Sequence, residues 1–153
     1  MNAHAPAFQP AASDFEARVR ASFDRQAAMR HIGAELSAVR PGYCAIVLPV
    51  RPELTQQHGY VHAGMVATIV DTAGGYAGFS LFPHGASVLT VEFKVNLLAP
   101  ASGERLVAEG FVVKPGRTLS ITRGEVHAEH GGRLTLVAIM QQTLMVMHGK
   151  LDA

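Results

Sequence analysis

Asp71 is the only formally charged side chain between Leu54 and Val91. Ahead of it, the polar segment Gln56-Gln57-His58-Gly59-Tyr60-Val61-His62-Ala63-Gly64 leads into an apolar stretch. If that stretch is a helix, its first N–H groups lack partners and carry partial positive charge. A small residue there, Ala63 or Gly64, lets a substrate oxygen come close, the arrangement that holds an oxyanion. A buried carboxylate is costly without a partner. Asp71 therefore either bonds nearby hydroxyls, such as Thr68 or Thr72, or serves as general base or nucleophile on a carbonyl carbon.

Spacing constrains the second possibility. A helix rises about 1.5 Å per residue, so Asp71 lies roughly 12 Å from the Ala63 N–H. One carbonyl group cannot use both from the same helix. Two copies of the helix packed antiparallel can serve it together. Catalysis by these residues thus implies at least a two-fold dimer with two shared sites.

The elements that must position these residues follow from periodicity. Residues 62–81 are apolar all round, which reads as a buried helix. Gly74, Gly75 and Gly78 each cost about 1 kcal/mol there relative to Ala. Close approach by another backbone would compensate; a break near residue 74 is the alternative. After Gly85 the period becomes two. Leu89, Val91, Phe93, Val95 and Leu97 alternate with Thr90, Glu92, Lys94 and Asn96, a half-buried strand that puts Thr90 on the face opposite the apolar residues. Turn signals at Pro41-Gly42, Pro100–Gly103, Lys114–Arg117 and His130–Gly132 delimit further strands near 33–40, 42–50, 104–113, 118–129 and 133–147. The last is apolar from Leu134 to Met140 and reads as central. Short loops imply antiparallel neighbours. Ser13-Asp14-Phe15-Glu16 reads as a capping box with Ser13 as N-cap. Phe15, Val19 and Phe23 then stripe a helix to about Met29. The expected fold class is α+β: one long buried helix wrapped by a curled antiparallel sheet of five or six strands, with an extra N-terminal helix. Residues 1–12 read as a loose tail and 13–150 as a single domain.

Composition narrows the function. The chain has 153 residues, with 13 Lys+Arg against 12 Asp+Glu and a net charge of +1, unlike a nucleic-acid binder with its basic stripe. No run of about 18 apolar residues is present to span a membrane, and the N-terminus lacks the pattern of a secretory signal. A lone cysteine, Cys44, fits a reducing cytoplasm and lies in an apolar run that suggests packing. His58 and His62, with His84 as a third, have the side chains of a metal site. Gly59 between the first two favours a loop, so no metal and no cofactor are expected. Lys114, Arg117 and Arg123 make one hairpin basic.

The run His58-Gly-Tyr-Val-His62-Ala-Gly-Met-Val-Ala-Thr-Ile-Val-Asp71-Thr-Ala-Gly-Gly-Tyr-Ala77 resembles the signature of the hotdog-fold acyl-CoA thioesterases of the phenylacetate-pathway (PaaI-like) family. That signature has a His-Gly pair, then His-Gly-Gly, then Leu-x-Asp-x-Ala. The resemblance extends over about residues 40–147 and includes the strand Thr90–Leu97 with Ala99-Pro100. It implies a hotdog fold, hydrolysis of acyl-CoA to acid and coenzyme A, and dimers that share one sheet and pair into homotetramers.

Residue by residue, the resemblance implies that Asp71 activates water or attacks the thioester. The Ala63 N–H takes the oxyanion place where the family has Gly. Gln56 falls where many members have an Asn that orients the water or thioester, and Thr90 where relatives carry Ser or Thr near the water. His58, His62 and Gly64 shape the substrate-binding turn. Arg117 is the candidate partner for the phosphates of coenzyme A. Two other functions fit the same fold: a non-catalytic acyl-CoA sensor, and an enoyl-CoA hydratase or dehydratase using His62 with Asp71.

Overall fold

The computed structural model describes residues 8–150. Two short helices, α1 (Phe15–Arg25) and α2 (Ala27–Ile32), precede a hairpin of β1 (Glu35–Arg40) and β2 (Tyr43–Pro49). A 3-10 turn at Pro52–Leu54 leads to the long helix α3 (Ala63–Phe79). Four strands follow: β3 (Ala86–Leu97), β4 (Arg105–Lys114), β5 (Leu119–His130) and β6 (Arg133–His148). All six strands form one antiparallel sheet in the order β1-β2-β4-β5-β6-β3. The α+β hotdog expectation holds, with six strands. No helix among the described residues is long and apolar enough to cross a membrane.

Helix α3 packs against the sheet along a row of alternating, inward-facing residues. Cys44, Ile46 and Leu48 of β2, Leu106 and Ala108 of β4, and Val126 of β5 are all buried there against Val66, Ile69, Val70 and Ala73. Burial drives the Cys44 thiol pKa up to about 12, so this cysteine packs and does not react. Gly42, with φ 74°, turns the β1–β2 hairpin as Pro41-Gly42 signals, and the Phe8 ring occupies the space a side chain there would need.

The helix stays unbroken through its glycines, but the compensation is not the expected one. A Cβ on Gly74 would stand 2.1 Å from Gln142 Oε1, and one on Gly78 would stand 2.4 Å from Leu144 Cδ1. These two glycines admit side chains from β6. Gly75 borders open space. The close backbone approach involves a strand glycine instead: a Cβ on Gly110 would lie 2.3 Å from the Ala73 carbonyl carbon and oxygen. Both sides of that contact are main chain and neither can yield alone. Gly110→Ala is expected to cost about 1–3 kcal/mol, read as a lower urea midpoint at unchanged slope. Gly75→Ala, with nothing within 4 Å of its added Cβ, serves as the tolerated comparison.

Three other expectations need correction. The N-terminal helix is two helices, since Gln26 adopts an extended backbone (φ −70°, ψ 100°) between them. Its N-cap is Asp14, not Ser13, with no side-chain cap bond, and Glu16 pairs forward with Arg20 at 2.8 Å instead of closing a capping box. Residues 8–12, expected to belong to a loose tail, lie against the domain. Phe8 packs on the core, Ala12 is buried and the Ala11 N–H bonds the Leu81 carbonyl. Residues 1–7 lie outside the described residues.

The third concerns β3, which carries a bulge. Its pairing with β6 shifts between Thr90 (opposite Leu144) and Glu92 (opposite Thr143). Residues directly opposite share a face, so the side-chain alternation reverses across Val91. Thr90 shares the inward face with Val88, ahead of the bulge, while Leu89 and Val91 point outward. A strict period of two over Leu89–Leu97 does not survive the inserted residue. Leu89, Val91, Phe93 and Leu97 are about half exposed on this edge strand.

Candidate active site

Helix α3 begins at Ala63, which places Asp71 eight residues along it. His62 is the N-cap, and its Nδ1 accepts a hydrogen bond of 2.9 Å from the Gly64 N–H. Gly64 leaves just enough room, since a Cβ there would sit 3.1 Å from that nitrogen. The cap removes the Gly64 N–H from the choice of oxyanion donors. The Ala63 N–H, by contrast, donates to no described residue. One unpaired donor therefore stands at the positive end of the helix. It opens on a cleft of about 570 Å³ lined by Gln56, Tyr60, His62, Ala63, Leu97 and Leu98, among others.

Gln56 holds the turn before this helix. Its Oε1 accepts from the His58 N–H, its backbone N–H bonds the Tyr60 carbonyl, and its carbonyl accepts from Gly59. His58 itself is exposed at the turn and does not line the cleft. Gly59 has φ 83°, a left-handed conformation that favours glycine at this turn. Arg117 lies on the β4–β5 turn, where its carbonyl meets His148 Nε2 at 2.9 Å. It borders neither this cleft nor the one around Asp71. His84 is also elsewhere, paired with Asp14 at 3.3 Å, so His58, His62 and His84 do not converge on a metal site.

Asp71 opens on a separate cleft of about 230 Å³, lined by Gln26, Thr72, Gly75, Tyr76, Val88 and Thr90. Thr68 and Thr72 do not bond it; each donates back to a helix carbonyl, Gly64 and Thr68 respectively. Its partners come from the sheet. Thr90 donates to Asp71 Oδ1 at 2.8 Å, which the bulge makes possible. Gln142 Nε2 donates to the same oxygen and, at 3.0 Å, to the Asp71 backbone carbonyl and to Thr90 Oγ1. Thr122 donates to Gln142 Oε1 at 2.7 Å. Burial raises the Asp71 pKa above the ordinary carboxylate value, and the hydrogen bonds from Thr90 and Gln142 oppose that rise.

The break at Gln26 also serves this cleft. The Gln26 amide donates to the Tyr76 hydroxyl at 3.0 Å, and Ser22 Oγ lies 2.9 Å from the same hydroxyl. The N-terminal helices thus close one side of the space beside Asp71.

The structure brings together Asp71 with Thr90, and separately Gln56 with His62 and Ala63. It does not bring these two groups into one cleft. Sequence reading missed Gln142 and Thr122. Their signal was present: on the alternating inward rows Met140, Gln142, Leu144, Val146 and Ser120, Thr122, Gly124, Val126, a long amide and a hydroxyl interrupt otherwise small or apolar positions.

Residues 58–135 match the family model of the thioesterase superfamily. A thioesterase family protein from Silicibacter pomeroyi is 47% identical with a TM-score of 0.87, covering 88% of this chain and 99% of that one. Human acyl-coenzyme A thioesterase 13 is 30% identical over 65% of this chain and 71% of its own length. Other relatives carry the broader name esterase. The Escherichia coli PaaI protein of the phenylacetic acid degradation operon shares the fold, with a TM-score of 0.80 at 18% identity over 92% of this chain and 98% of that one. The chain belongs to the thioesterase superfamily, a family of thioester hydrolases, and has the hotdog fold.

Proposed function

We propose that the protein hydrolyses acyl-CoA thioesters, with Asp71 of one subunit and the Ala63 N–H of a second acting on the same carbonyl group. The observation that carries this reading is the pair of incomplete half-sites on one helix. Asp71 has a carboxylate open to a cleft that Ala63 does not line, and the Ala63 donor opens on a cleft with no carboxylate among its lining residues. Edge strand β3 has one half-site at each end, since Thr90 borders the Asp71 cleft and Leu97 the Ala63 cleft. An antiparallel pairing of β3 with a second copy, about an axis near Phe93 and Lys94, sets Leu97 of one opposite Thr90 of the other. That joins two sheets, covers the exposed Leu89, Val91, Phe93 and Leu97, and completes two sites. Pairing of such dimers makes the homotetramer.

In the proposed reaction, the thioester oxygen lies at the Ala63 N–H, in the partial positive field of the helix terminus. Asp71 either takes a proton from an attacking water or adds to the carbonyl carbon itself, to give an anhydride that water opens. Gln56, on the Ala63 side, orients the thioester. Free acid and coenzyme A leave. The single buried thiol of Cys44 suits the reducing cytoplasm.

The test is a panel of acyl-CoA esters of short, medium and aryl chains, followed by thiol trapping and product analysis. Stoichiometric release of coenzyme A and free acid is expected. Binding without thiol release would favour a sensor, and an intact thioester that has gained water would favour a hydratase.

A further inference from the structure

Asp71 has two carboxylate oxygens in unequal surroundings. Oδ1 accepts from both Thr90 and Gln142. Oδ2 accepts from no described residue and is not sealed away from the cleft. Gln142 reaches this point from β6 and is only 2% exposed. A free amide side chain can rotate and present either its oxygen or its nitrogen. Here it cannot do so without loss. Thr122 and Gln142 are directly opposite across β5 and β6, and the fully buried Thr122 hydroxyl donates to Gln142 Oε1 at 2.7 Å. With the oxygen so held, the nitrogen must face Asp71 and Thr90. Gly74 is what admits the amide, since any larger residue would place its Cβ 2.1 Å from Gln142 Oε1.

We propose that Gln142 is a positioning residue for the thioesterase reaction, held in one orientation by Thr122, that engages Asp71 Oδ1 and leaves Oδ2 as the reacting oxygen. This inference rests on the function proposed above. The two N–H groups of Gln142 serve three acceptors on the Asp71 segment, the Asp71 carboxylate and carbonyl and the Thr90 hydroxyl. They fix the carboxylate relative to both its own helix and the β3 bulge. Thr90 has one proton to give. With Gln142 donating to its Oγ1, that proton goes to Asp71, so the order Thr122 to Gln142 to Thr90 to Asp71 is set in one direction. The same donors stabilise the ionised carboxylate, against the burial that disfavours it.

A purely structural role for Gln142 predicts loss of stability alone. A positioning role predicts a change in the acid limb of the pH–rate profile. Gln142→Met keeps the length and volume and removes every donor. The acid limb of kcat/KM is expected to move to higher pH by about one unit or more. At neutral pH, kcat is expected to fall about ten-fold or more with KM changed less than about two-fold. Thr122→Val removes the hydroxyl that orients the amide and is expected to shift the limb in the same direction. Thr122→Ser restores the donor and should return the limb to the wild-type position. If Gln142→Met fails to fold by circular dichroism, the Thr122 pair decides the matter.

A wild-type pH profile and kcat in folded Gln142→Met would overturn the inference, as would identical profiles for Thr122→Val and Thr122→Ser. Failure of the parent reading looks different. It would show as a near wild-type rate in Asp71→Asn, whereas an inactive Asp71→Asn with an unshifted Gln142→Met defeats only the role given to Gln142.

Discussion

Asp71→Asn is expected to lower kcat by about 10²–10⁴-fold while leaving the protein folded and more stable than wild type at neutral pH. The substitution keeps a carbonyl oxygen where Oδ1 accepts from Thr90 and Gln142, so the packing is preserved. It places an amide nitrogen where Oδ2 opens on the cleft, and an amide neither takes a proton from water nor attacks a carbonyl.

The stability gain follows from the raised Asp71 pKa, whose main cause is burial. The fold favours the protonated acid. Ionisation therefore costs stability once pH exceeds the unfolded carboxylate value, and the cost grows until pH passes the raised folded value. Asn never ionises. The Tm difference between variant and wild type should be present at neutral pH and vanish as pH falls below the ordinary carboxylate range. A pH series of thermal melts measures it, and thiol release on the same samples measures turnover. A variant within about ten-fold of the wild-type rate would remove Asp71 from the chemistry.

The second large effect is expected at Ala63→Pro. Proline is well tolerated as the first residue of a helix, because it lacks only an N–H that has no partner there. Ala63 is that first residue, and its N–H donates to no described residue. The preceding His62 has φ −59° and ψ 137°, the extended region that a residue before proline prefers. Fold and stability should be retained, and kcat should fall about 10²–10³-fold through loss of one oxyanion donor.

Combining this variant with Asp71→Asn tests the shared site directly. In a mixed dimer, one site receives both substitutions and the other receives neither. Random mixing of two nearly inactive variants should therefore recover about a quarter of wild-type activity. Sites contained within one chain would recover nothing, and that result would refute the intersubunit arrangement while leaving each residue's role open to separate test.

The helix start was legible because spacing and composition agreed. An uncharged run, a small residue after His62 and a carboxylate eight residues on all survive in the structure as N-cap, first helical residue and Asp71. The strands were legible within a few residues because Gly and Pro turns punctuate period-two segments. Other features were less accessible. The helix break at Gln26 is set by where its amide meets Tyr76, a contact fifty residues away in the chain. The bulge at Val91 cancels a period-two pattern that looked continuous. Thr90, assigned to the wrong side by that pattern, is bonded to Asp71.

The sequence alone established a helix bearing one carboxylate, an antiparallel α+β architecture, and a separation along the helix too long for Ala63 and Asp71 of one chain to serve one carbonyl group. These are local properties, set by side-chain type and a fixed rise per residue. Only the tertiary structure decided which groups hold Asp71. Thr90, Thr122 and Gln142 come from three strands, and their meeting depends on one bulge, one cross-strand pair and the space left by Gly74. A buried carboxylate must find donors, but the sequence does not state which distant strand supplies them. That is settled by the register of the sheet and by how closely the helix packs against it.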